Sequence, residues 1–294
     1  MKTLLSRIGR WLLMSIGAML CWILGFGLSQ ALFKAPLPDT GEDPSKTLGL
    51  LLVMLLFETG VLLWAIRSVE GNKVQRFLTI FSLLFGTQFV MSQIEAWAFQ
   101  SAVGMSSKEM AQTVVGGFLF ALQLSALLVF TQKGQVQAAS NGSLIHLNVA
   151  KVLLLVVAVY PLLYWLAGYF IAWQFQSIRH YYTGAASNEG IAAGFLGFFK
   201  YGLYFLQVGR GFLWFLLAWP FLFYFRGSHL QGGLILGALF SVLHCAQLLL
   251  PNPYMPEEIR YPHLLETASS TFVWGFLVGW VLLGKALKRH NESE

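Results

Sequence analysis

The chain has 294 residues, 56% of them hydrophobic and 11% charged, with a mean hydropathy of +0.64. Soluble domains carry about 25% charged residues, so this composition excludes a water-soluble globular protein and leaves no polar stretch long enough for a separate soluble domain. The formal charge of +6 lies mostly at the ends of apolar runs and forms no patch with stacking aromatics, which points to a lipid bilayer as partner and away from nucleic acid.

In chain order, the first apolar run covers 11–33. Its basic start and the small residues at Ser29-Gln30-Ala31 resemble a signal peptide. The stretch from Trp11 to Leu28 is longer than the roughly 7–15 residues of a signal core, so a retained first span is expected. The second run, 48–66, carries Glu58 near its middle. In the third, 77–99, Gln88, Ser92 and Glu95 fall at i, i+4 and i+7 on one helical stripe, with Gln93 and Trp97 pointing elsewhere. The fourth run is 114–131. A polar connection, 132–151, then divides the spans four and four.

The fifth run is 152–173. The sixth, 199–225, puts Lys200, Tyr204, Gln207, Gly211 and Trp214 on one face, with Arg210 at its margin. Residues 190–225 read either as one long tilted helix or as an interfacial helix followed by a span. The seventh, 231–250, repeats Ser241, His244 and Gln247 every third residue. After a proline-rich turn, Pro256 followed by Glu257 and Glu258 suits the start of a short interfacial helix. In the eighth run, 263–284, His263, Glu266, Thr267 and Ser270 share an arc of about 100°.

The expected fold is therefore all-α: a polytopic integral membrane bundle of about eight transmembrane helices forming a single transmembrane domain. With eight spans, twelve Lys and Arg residues fall on one side, and only Lys34, Lys46, Lys108, Arg179 and Arg260 on the other. That bias places both termini and the 132–151 loop in the cytoplasm, with a bacterial plasma (inner) membrane as the expected location. Cys21 and Cys245 lie in apolar stretches and read as small hydrophobes.

Charged and strongly polar groups inside spans are costly, so each needs a reason. Under this topology Glu95, His244 and Gln247 come late in outward-running helices. Lys200, Gln207, His263 and Glu266 come early in inward-running ones. All would lie toward the non-cytoplasmic side, around an outward-facing ionisable cavity. The expected chemistry is that of a membrane-embedded hydrolase or transferase acting on a lipid or lipid-linked substrate. Glu95 or Glu266 would be the base, His244 and His263 the acid/base groups, and Arg210 the anion stabiliser. Substrate or relay roles fall to Glu58, Gln88, Lys200, Gln207, Gln247, Arg260 and Ser270. His263-x-x-Glu266 with His244 could instead hold a divalent metal. A proton- or ion-coupled small-molecule transporter, with Glu58 as mid-membrane relay, uses the same residue types. A structural or assembly subunit would use them only as interhelical hydrogen-bonding groups.

Phe240-Ser-Val-Leu-His244 resembles the FxxxH motif of glutamic CAAX-type intramembrane proteases, an eight-helix family that also carries EExxxR and a histidine followed by asparagine four residues later. Glu257-Glu258-Ile-Arg260 has its arginine one place early and follows FxxxH, and Thr267 stands four residues after His263. The family is not assigned on that footing. No P-loop, GxGxxG, HExxH or CxxC motif occurs.

Overall fold

Polar caps, more than the first apolar residue, set where the helices begin. The computed structural model describes residues 2–35, 40–132, 148–184 and 190–283. Its first half comprises α1 (Lys2–Phe33), α2 (Pro44–Ser68), α3 (Lys73–Ala98) and α4 (Ser107–Phe130). The second comprises α5 (Val149–Gln174), the short α6 (Gln176–Thr183) and α7 (Ile191–Lys200), then α8 (Leu203–Tyr224), α9 (His229–Leu249) and α10 (Glu257–Leu283). Asp43 accepts from the Ser45 N–H before α2, and Ser228 accepts from the Gln231 N–H at α9. Asn72 with Gln75, and Ser106 with Glu109, form capping boxes at α3 and α4. These side chains satisfy N–H groups that would otherwise be orphaned, so the helices start several residues ahead of 48, 77 and 114.

Among the described residues eight helices, α1–α5 and α8–α10, are long and apolar enough to cross a membrane. Among the described residues there are no strands, only two isolated bridges. The chain is thus an all-α multi-pass bundle. Leu13, Leu20 and Leu28 on α1 are each more than half exposed, as expected of side chains that face acyl chains instead of water. At the end opposite the cavity described below, basic side chains complete the last helical carbonyls. Arg10 donates to the Thr131 carbonyl at 3.2 Å, Lys151 to that of Val281 at 3.3 Å, and Arg76 to that of Ile66.

One open alternative is resolved and one sequence expectation is corrected. Residues 190–225 are two helices: Gly202 at φ 73° adopts a left-handed conformation that side chains resist, and it separates α7 from α8. No separate interfacial helix follows Pro256, because α10 runs unbroken from Glu257 through Pro262. Most of the 132–151 loop lies outside the described residues.

Both Pro161 and Pro262 sit inside helical segments and lack the N–H that would bond four residues back. The freed acceptors are taken from neighbouring elements: the Tyr204 hydroxyl donates to the Val157 carbonyl at 3.0 Å, and that of Ser177 to the Glu258 carbonyl at 3.1 Å. In a bilayer such replacements relieve a backbone group that has no water at hand. Two spans also contain a π-helical turn, Phe85–Val90 in α3 and Leu154–Val159 in α5. Each adds a residue to the turn and rotates the downstream side chains about the helix axis.

The closest helix pair is α9 with α10. A Cβ built on Gly275 would lie 2.5 Å from the Leu236 carbonyl oxygen and 2.9 Å from the Gly237 Cα, so the backbones meet with nothing between them. Small residues permit this approach in membranes, where van der Waals packing replaces the hydrophobic drive. The hairpin so formed carries both histidines of the site.

Candidate functional site

At the end of the bundle where α1, α3 and α9 finish and α2, α4 and α10 begin, a cavity of about 410 Å³ opens. Its polar lining includes Glu95, Gln93 and Ser92 of α3, Glu109 and Gln112 of α4, His244 and Gln247 of α9, His263 and Thr267 of α10, and Tyr182 of α6. Trp22 and Phe26 of α1 with Phe89 of α3 form an aromatic wall, Trp22 and Phe26 standing 4.4 Å apart between ring centroids. A small recess of about 20 Å³ adjoins it, sharing Glu95, His244 and Thr267 and adding Tyr160, Tyr164, Arg210, Glu266 and Ser270. That volume suits about one water molecule.

Glu95 is the junction. Its Oε2 lies 3.0 Å from an Arg210 nitrogen and 3.8 Å from His244 Nε2. The Arg210 side chain is 3% exposed and that of Glu95 is 37% exposed, so the carboxylate faces open space while its partner is enclosed. Arg210 is fixed further by donating to Gln207 Oε1 at 3.1 Å and by lying 5.8 Å from the centroid of the Tyr164 ring. The recess wall is itself tied together, since Trp214 Nε1 donates to the Tyr160 hydroxyl at 3.0 Å.

The two histidines are oriented in different ways. His244 Nδ1 stands 3.1 Å from the Thr87 carbonyl oxygen, which can only accept, so Nδ1 carries hydrogen and Nε2 is turned toward Glu95. His263 Nδ1 stands 3.1 Å from Glu266 Oε2, one helical turn along α10. A carboxylate there fixes the same tautomer and leaves the Nε2 lone pair available. That Nε2 is buried and has no hydrogen-bond partner among the described residues. The imidazole ring packs edge-on against Tyr182, with centroids 5.6 Å apart. Burial, aided by the charge of Glu95, holds the Tyr182 phenol well above its ordinary range.

Several residues singled out from sequence lie elsewhere. Glu58 and Gln88 bond each other at 2.7 Å inside the bundle and line neither cavity. Lys200 is exposed at the end of α7, its Nζ above the Tyr201 ring, because Gly202 separates it from the face of α8. Arg260 is 2% exposed and spends one guanidinium nitrogen on the carbonyls of Leu248, Leu249 and Leu250, capping the end of α9. Gln207 is buried behind Arg210. Gln247 lines the cavity and donates to the Ser92 hydroxyl, while Ser270 lines the recess and donates to the Thr267 carbonyl at 3.3 Å. His244, His263 and Glu266 do not form a metal centre: among the described residues no group of three or more His, Cys, Asp or Glu side chains is placed to hold a metal ion.

Sequence reasoning missed Tyr160, Tyr164, Tyr182 and Gln93. Tyr160 and Tyr164 stand four apart on α5, a signal obscured by abundant aromatics. Regular α-helical periodicity turns Gln93 away from Glu95. Ser92, Gln93 and Glu95 all lie in the regular stretch Met91–Ala98 and all line the cavity, which therefore takes in more of the helix circumference than one stripe.

Fold and composition together define the class: a multi-pass helical membrane protein with an ionisable pocket at one end of its bundle. Within that class no family model, curated protein or solved structure matches this chain.

Proposed function

We propose that the protein is a membrane-embedded hydrolase that acts from the non-cytoplasmic side on a lipid or lipid-linked acyl substrate. The single observation that carries this reading is the His263–Glu266 pair. Glu266 holds Nδ1 at 3.1 Å, and the opposite nitrogen is buried and unbonded on a residue that lines the cavity. A carboxylate, an oriented imidazole and an adjoining pocket are the parts of a general base.

In this reading a water molecule in the larger cavity, which Glu95, His244 and His263 all line, gives a proton to His263 Nε2, and its oxygen bonds to the substrate carbonyl carbon. The resulting imidazolium is stabilised by Glu266 and then passes the proton to the leaving group as the acyl bond breaks. Glu95, held by Arg210, orients the water. Arg210 is committed to that carboxylate, so it serves as a positioning residue and not as the anion stabiliser. The side-chain amides of Gln93 and Gln247 supply neutral dipoles for the developing oxyanion. The concentration of Lys and Arg at the opposite end of the bundle favours a pocket that faces outward.

The transport reading draws less support, since Glu58, its mid-membrane relay, lines neither cavity. The test is acyl release from a panel of acyl esters and amides in proteoliposomes, followed by mass spectrometry. Wild-type protein should turn over at least one of them, and Glu266→Gln and His263→Ala should lower the rate about 10²–10⁴-fold while still inserting and folding. Turnover by Glu266→Gln at the wild-type rate would overturn the assignment, as would failure of both variants to accumulate.

A further inference from the structure

Each cationic or basic side chain that lines either cavity, among the described residues, faces a carboxylate. Arg210 is paired with Glu95 at 3.0 Å and His263 with Glu266 at 3.1 Å, while His244 faces Glu95 at 3.8 Å. Lys46, at the rim, lies between Glu42 at 2.9 Å and Glu257 at 3.1 Å. The helix N-termini that converge on this end could in principle attract an anion, because their free N–H groups carry partial positive charge. Those of α2, α4 and α10 are occupied: Asp43 caps α2, Glu109 closes the capping box of α4, and Glu257 and Glu258 occupy the first turn of α10.

Among the described residues no lysine or arginine lines the larger cavity, whereas Glu95 and Glu109 both do. A phosphate would enter a pocket with no uncommitted cation and two carboxylates, and would lose its hydration without an ionic partner. Neutral donors and acceptors are present instead, in Gln93, Gln112, Gln247 and Thr267. The aromatic wall of Trp22, Phe26 and Phe89 supplies an apolar surface for a hydrocarbon chain. Ligand pockets commonly span about 300–1,000 Å³. At about 410 Å³ this one suits one chain with a small head, and not a two-chain lipid.

We infer that the pocket takes a single-chain lipid whose head is an uncharged acyl ester, and that it discriminates against lipid phosphates. This rests on the hydrolase reading for the identity of the scissile group, but its test is a binding measurement. The probes are a monoacylglycerol and a lysophosphatidic acid with the same chain, each carrying a diazirine near the chain end. Both are added to the full-length protein in vesicles, and labelled residues are mapped by mass spectrometry.

The monoacylglycerol probe should label the wall at Trp22, Phe26 or Phe89. Unlabelled monoacylglycerol should displace it at a concentration at least tenfold lower than lysophosphatidic acid does. In Glu95→Gln, where the Arg210 charge loses its partner, that ratio should narrow below threefold. Equal or better competition by lysophosphatidic acid in the wild-type protein would overturn the inference, as would labelling confined to residues outside the cavity. The two readings fail separately. Selective labelling without turnover of any acyl substrate would sink the hydrolase reading and leave the head-group preference standing. Equal turnover of both lipids would do the reverse.

Discussion

The Glu95–Arg210 pair should respond asymmetrically to mutation. At 3.0 Å, with an effective dielectric of about 20, Coulomb's law gives an attraction of about 5.5 kcal/mol as an upper limit. The two ends differ in surroundings, Arg210 being 3% exposed and Glu95 37%. Glu95→Gln therefore strands an enclosed guanidinium, with an expected loss of about 3–5 kcal/mol. Arg210→Met leaves a carboxylate that faces open space and retains His244, with an expected loss of only about 1–2 kcal/mol. The double variant should lose less than the sum, with a coupling of about 2 kcal/mol or more. Reversible unfolding of the purified variants in mixed micelles measures all three. Equal losses for the two single variants, or losses below about 1 kcal/mol in both, would refute the picture of a buried cation held by a cavity-facing anion.

Three further outcomes rest on particular contacts. Gly275→Ala puts a methyl group 2.5 Å from the Leu236 carbonyl oxygen, so the α9–α10 hairpin must open; a loss of about 1–3 kcal/mol is expected in the same unfolding assay, and an unchanged stability would contradict the backbone contact. Glu58→Gln should leave acyl hydrolysis at the wild-type rate, because the residue lines neither cavity; loss of turnover would restore its relay role. The raised Tyr182 phenol means that the folded chain holds this proton more tightly than the unfolded chain. Stability should therefore fall as pH rises above the unfolded phenol value of about 10, and Tyr182→Phe should flatten that alkaline limb in thermal unfolding; an unaltered slope would count against it.

The number of spans is legible in the sequence because hydrocarbon imposes long apolar runs whatever else a chain encodes. Helix starts are less so: capping residues such as Asp43 and Ser106 are polar and read as loop. Periodicity places Glu95, His244, Arg210, His263 and Glu266 toward one end, and the structure sets them around adjoining cavities. It fails where the helix departs from 3.6 residues per turn. The π turn at Phe85–Val90 separates Gln88, which meets Glu58, from Glu95, which meets Arg210, though a regular α-helix would put both on one stripe. No local residue pattern announces that turn. Arg260 is hidden for another reason: an arginine that caps three carbonyls and one that binds a ligand look alike until the end of α9 is in view.

The glycine contacts and the Arg260 clamp have a mechanical corollary. Because α9 and α10 touch backbone to backbone and are pinned together at their junction, His244 and His263 ride on one stiff jaw. Glu95 is carried by a separate span, α3, which is tied to that unit through Thr87 to His244 and Ser92 to Gln247. Under mild denaturation a spectroscopic ruler between α9 and α10 should hold its length after rulers between other helix pairs have lengthened.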